Sequence, residues 1–121
     1  MNDRKHRRKL GQNYLIDPVI LFEIERAINP QENNLFFEIG PGTGALTNHL
    51  IGQNRKVIAM DLDQQNIISL LARFPNSEHE FIHGDILKDP LDFLRKTKHR
   101  VAGNLPYNIS TQIIIKLINY F

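Results

Sequence analysis

Leu35-Phe36-Phe37-Glu38-Ile39, Lys56-Val57-Ile58-Ala59-Met60, His79 to His83 and Arg100-Val101-Ala102-Gly103 each read as a short strand. Each hands over, through a turn, to a segment whose apolar residues recur at helical spacing. This alternation constrains the fold more than any other feature of the chain. Strands separated by helices do not pair as hairpins, and they predict an α/β domain with a parallel sheet and right-handed crossovers.

The helical segments carry their own punctuation. Asp17-Pro18 supplies a cap and a first-turn proline, followed by Val19, Leu21, Phe22, Ile24, Ala27 and Ile28 as an apolar face, with Asn29-Pro30 as the stop. A helix is expected from Ala45 to about Gln53, after the turn Gly40-Pro41-Gly42-Thr43-Gly44. Another carries Ile67, Ile68, Leu70, Leu71 and Phe74, and a short one runs from Leu91 to Lys96. Ser110 is expected to cap a last helix with Ile113, Ile114, Leu117 and Ile118 on its inner side. With four strands and a closing apolar helix, the chain reads as the front part of a larger sheet domain, since a parallel sheet needs both faces covered.

The 121 residues suit one domain, and no apolar run approaches the ~18 residues of a membrane span. There is no cysteine, hence no disulfide, thiolate nucleophile or cysteine-bound metal. The five histidines show no metal-ligand spacing. Charge is uneven. Arg4, Lys5, Arg7, Arg8 and Lys9 fall within seven positions, leaving ten Lys/Arg against twelve Asp/Glu in residues 10–121. Residues 1–9 read as a disordered basic arm suited to a polyanion such as RNA, or equally as a solvated tail. Arg95-Lys96-Thr97-Lys98-His99-Arg100 is a second basic cluster.

Candidate sites fall at the ends of successive strands, where open α/β sheets place ligands. Glu38-x-Gly40-x-Gly42-x-Gly44 allows a ligand to lie against backbone. Its spacing is not the Gly-x-Gly-x-x-Gly of dinucleotide binding, which disfavours a nicotinamide-dependent oxidoreductase. Asp61, about twenty residues on, suits two ribose hydroxyls, whereas Asp63 suits a helix cap. Asp85, after Gly84, can accept from an adenine amine. In Asn104-Leu105-Pro106-Tyr107, an amide oxygen and a carbonyl beside proline can hold one exocyclic amine while Tyr107 stacks on its ring. A rigid turn around a buried Tyr fits that loop alone equally well. Together the four strand ends describe a nucleoside ligand with a second base beside it.

The segments "GQNYLID", "EIGPGTGALT", "GD" and "NLPYNIS" occur in this order and spacing. With them the chain resembles the amino-terminal half of the KsgA-type rRNA adenine dimethyltransferases, from about Lys9 to its end. The resemblance implies a Rossmann-like class I methyltransferase sheet, incomplete at its carboxyl end, using S-adenosyl-L-methionine to dimethylate adenosines of small-subunit rRNA. Residues 10–121 then form the first part of the catalytic domain. Asn13 and Leu15 would contact the cofactor, Gly40 and Gly42 its methionine portion, Asp61 its ribose and Asp85 its adenine. Asn104 would bridge cofactor and target amine, Pro106 would offer its carbonyl, and Tyr107 would stack on the flipped base. Residues 4–9 would meet rRNA. With no cysteine, signal region or membrane span in view, a cytoplasmic location is the default expectation, and a monomer without metal is expected. Asp61 stands where the family usually has Glu. The family's later strands, a downstream aromatic and a helical carboxyl-terminal domain are not in this sequence. The Erm-type large-subunit rRNA methyltransferases share the amine clamp, and an RNA-binding assembly factor without transfer activity is the alternative of another class.

Overall fold

The computed structural model describes residues 17–76, 78–103 and 107–120, the side chains of Tyr107 and Asn108 excepted. Helix α1 (Pro18–Ile28) begins as its sequence dictates. Asp17 Oδ1 accepts the Val19 N–H at 2.9 Å, and Pro18 occupies the first turn. It ends at Asn29, which is left-handed at φ 50°. Leu21 is buried, with Ile24 and Ile28 partly buried beside it, while Val19 and Phe22 face out. Arg100 completes this helix end from far along the chain. Its guanidinium donates to the Ile28 carbonyl, to the Asn29 carbonyl at 3.3 Å and to Asn34 Oδ1 at 3.1 Å.

Strands β1 (Leu35–Ile39), β2 (Lys56–Asp61), β3 (Glu80–His83) and β4 (Arg100–Gly103) form one parallel sheet in the order β3-β2-β1-β4. Successive side chains point to opposite faces, and both faces are covered. On one, Phe36, Val57 and Ala59 pack with Leu21, Leu46 and Leu50. On the other, Phe37, Ile39 and Met60 pack with Leu91, Leu94 and Ile113. Burying each large side chain contributes roughly 1.5–3 kcal/mol.

Several helices depart from expectation. α2 covers only Thr47–Leu50, because Gly52, Gln53 and Asn54 all take positive φ and turn the chain away. Arg55 closes that end, donating to the Leu50 and Ile51 carbonyls at 2.8 and 3.2 Å. α3 (Gln64–Arg73) is capped by Asp63, whose carboxylate accepts the Gln65 N–H at 2.9 Å. Ile67 and Leu70 face inward, Ile68 and Leu71 outward. His79 stands just before β3. Its buried Nδ1 accepts the Val57 N–H at 3.2 Å and so prolongs the pairing with β2. α4 is Phe93–Lys96.

The last helix, α5 (Tyr107–Ile118), starts three residues ahead of Ser110, so Ser110 lies inside it and is not its cap. Packing on the sheet also selects a face other than the expected one. Ile109, Ile113 and Leu117 face the core, whereas Ile114 and Ile118 are 56% and 65% exposed. Among the described residues no helix is long and apolar enough to cross a membrane.

Candidate active site

Because the four strands are parallel, their carboxyl ends share one rim. After β1 the chain turns at Gly40 and Gly42, with φ of 66° and 59°, values that strain any residue bearing a Cβ. No atom beyond their chain neighbours lies within 4 Å of where a Cβ would stand on either residue. Their outer side is therefore bare backbone. The Gly40 N–H donates to the Met60 carbonyl at 2.9 Å, which ties the turn to the end of β2. Gly44 serves packing instead, since a Cβ there would lie 2.8 Å from Leu70 Cδ2.

Asp61 ends β2 and is 9% exposed. Its Oδ2 accepts the Gly42 N–H at 2.9 Å, and its Oδ1 accepts the Asp63 N–H at 2.9 Å and the Asn66 side-chain amide at 3.3 Å. Two residues singled out from sequence, Gly42 and Asp61, are thus joined directly. A carboxylate offers about four acceptor positions, so capacity for a further donor remains. After β3, Asp85 is half-buried, and its Oδ1 accepts the Leu87 N–H at 2.9 Å.

Gly40, Asp61, Gly84 and Asp85 meet around one cavity of about 410 Å³, within the range of small-molecule sites. Its remaining walls are apolar: Ile39 and Met60 at the strand ends, Leu62 at the lip, Ile86 and Leu87 after Asp85, and Ile109 and Ile113 on α5. The last four were not anticipated. Ile86-Leu87 was visible as an apolar pair directly after Gly84-Asp85. Ile109 and Ile113 were visible as an i, i+4 pair only once the helix is known to begin at Tyr107.

Glu38 lies beside this rim on the α2 side of the sheet. It is 1% exposed and accepts the Thr47 hydroxyl at 2.5 Å. Burial pushes its carboxyl from 4.5 up to about 7; the Thr47 bond opposes that rise and the Asp61 charge adds to it. Asn13, Leu15, Asn104, Pro106 and the basic residues Arg4, Lys5, Arg7, Arg8 and Lys9 lie outside the described residues. Tyr107 opens α5 by its backbone, and its side chain also lies outside them.

A parallel sheet in this order, with a glycine turn after β1 and acids after β2 and β3 around one cavity, defines a Rossmann-like methyltransferase domain. A dimethyladenosine transferase from Plasmodium falciparum shares the fold, with a TM-score of 0.72 and 32% identity over 85% of this chain and 37% of that one. The 23S rRNA methyltransferase ErmE shares it with a TM-score of 0.67 and 22% identity, over 82% of this chain and 40% of that one. The family profile described as "Ribosomal RNA adenine dimethylase" matches residues 3–120, and the chain belongs to that family. The "Ribosomal RNA small subunit methyltransferase A" of Pseudomonas aeruginosa is 41% identical over 117 residues, which cover 94% of this chain and 44% of the relative. That of Legionella pneumophila is 42% identical over the same length and shares. The chain thus spans less than half the length of the curated relatives it matches.

Proposed function

We propose that the rim of this chain holds S-adenosyl-L-methionine and presents it to adenosine amines of small-subunit rRNA for dimethylation in the cytoplasm. The supporting observation is the cavity where Gly40, Asp61 and Asp85 meet, whose wall also includes Ile109, just after the Asn104–Tyr107 segment in sequence. The residues present fit that cofactor. Bare backbone at Gly40 and Gly42 suits its amino-acid tail, Asp61 has an acceptor position left for ribose, and Asp85 offers a carboxylate to the adenine amine. Ile86, Leu87, Ile109 and Ile113 flank a flat ring. By the family resemblance, Asn13 and Leu15 contact the cofactor as well. When bound, S-adenosylmethionine supplies an electrophilic sulfonium methyl group.

The chain's own residues position the nucleophile. An adenosine amine is a poor one because its lone pair is delocalised into the ring. Asn104 and the Pro106 carbonyl accept hydrogen bonds from it and favour a more pyramidal nitrogen. Tyr107 stacks on the flipped base, offsetting unstacking by roughly 1–3 kcal/mol. Rate arises from alignment and electrostatics, and the proton leaves after transfer without a strong base. Arg4, Lys5, Arg7, Arg8 and Lys9 add salt-sensitive attraction to RNA. The small-subunit substrate is favoured over the large by the relatives' printed names and identities of 41% and 42%, against 22% to ErmE.

Calorimetric titration with S-adenosylhomocysteine tests the site: the chain binds, and Asp61→Ala weakens binding at least tenfold, about the worth of hydrogen bonds to a charged acceptor. In the complete protein, Asn104→Ala abolishes labelled methyl transfer to small-subunit particles while cofactor binding weakens less. A wild-type chain that does not bind the ligand rules the function out.

A further inference from the structure

The segment between β3 and α4 carries Asp85, and two kinds of tether shape it. Within the segment, the Asp85 N–H donates to Asp89 Oδ2 at 2.6 Å. That carboxylate lies so close to the backbone that a Cβ on Gly84 would stand 2.7 Å from it. The other tethers come from the far end of α5. Lys116 Nζ donates to the Ile86 carbonyl at 2.6 Å and to the Asp89 carbonyl. Just beyond the helix, the Tyr120 hydroxyl accepts the Leu91 N–H at 3.1 Å. An ammonium has three donors and no acceptor, so Lys116 can satisfy two turn carbonyls at once and fix their relative direction. The helix that supplies it also lines the cavity with Ile109 and Ile113.

We propose that Lys116 is a positioning residue for cofactor recognition: by clamping the Ile86 and Asp89 carbonyls it fixes the Asp85 carboxylate where it reads the 6-amino group of the cofactor's purine. This rests on the proposed function, in which that cavity takes S-adenosylmethionine. A purine with a 6-amino donor is told from one with a 6-oxo acceptor by an acceptor held still. The other side of the cavity, where Asp61 is bonded to Gly42, makes no use of Lys116. Loosening the clamp therefore costs purine discrimination and spares the ribose and amino-acid contacts.

The test is titration of the chain with S-adenosylhomocysteine and with S-inosylhomocysteine. The wild type prefers the adenosyl ligand. Lys116→Met lowers that preference about tenfold, the scale of one hydrogen bond to a charged group. Lys116→Arg, which keeps the donors, restores it, and Lys116→Gln, a shorter and uncharged donor, reproduces the loss even if Lys116→Met does not fold. A purely structural role for Lys116 lowers stability but leaves the ratio of the two affinities unchanged, and that result overturns the proposal. A wild type that binds both ligands alike overturns the assignment of Asp85 and the proposal with it. Wild-type discrimination that survives Lys116→Met and Lys116→Gln overturns the proposal alone.

Discussion

Glu38 carries a carboxyl at the edge of the glycine turn, yet almost none of it meets water. Burial is the chief reason its carboxyl titrates near 7 rather than 4.5. The folded chain therefore keeps a proton that the unfolded chain gives up between those values. The stability this contributes is full below about 4.5 and is lost as pH rises through about 7. Glu38→Gln is neutral throughout and removes that dependence, which linkage puts on the order of 3 kcal/mol. Urea midpoints of the two chains from pH 4.5 to 8 check it: the wild type declines relative to the variant. Parallel curves would show that Glu38 ionises freely. His79 pulls the other way, since burial holds its ring below 6.5 and its native state resists protonation on the acid side. Comparing variants at each pH cancels that contribution.

At the scale of elements, α1 is finished by a residue of β4. Arg100→Met removes the donors to the Ile28 and Asn29 carbonyls and to Asn34. The expected cost is about 2 kcal/mol in urea unfolding, with S-adenosylhomocysteine affinity unchanged because Arg100 opens β4 at the end away from the rim. Loss of ligand affinity with intact stability would contradict this placement. The caps at Asp17 and Asp63 were legible in sequence because a cap acts two residues away. So were Gly40, Gly42, Asp61 and Asp85 as a rim, because each lies at or within three residues of a strand's carboxyl end. The inner face of α5 was not legible. Apolar residues at 109, 113, 114, 115, 117 and 118 leave more than one stripe open, and only packing on the sheet selects Ile109, Ile113 and Leu117. Lys116 was equally silent, since its partners lie about thirty residues away.

Over the whole molecule, charge separates from catalytic geometry. The rim residues Glu38, Asp61 and Asp85 are acidic, and residues 10–121 hold ten basic against twelve acidic side chains, so the excess positive charge resides in residues 3–9. Deleting residues 1–9 should reduce the slope of log affinity for RNA against log salt by about 3.5–4.5, the share of five cations. S-adenosylhomocysteine binding should hold. Filter binding across a potassium chloride series measures it, and an unchanged slope would assign RNA attraction to the body of the molecule. The contact between Arg100 and the end of α1 also sets an order of events at the ribosome. The two partners are 71 positions apart, and β1 takes β4 as a neighbour over a similar separation. At about 5–20 residues per second, the first helix and the central strand emerge several seconds before the pieces that complete them. The nascent chain must wait, half-assembled, until its fourth strand arrives.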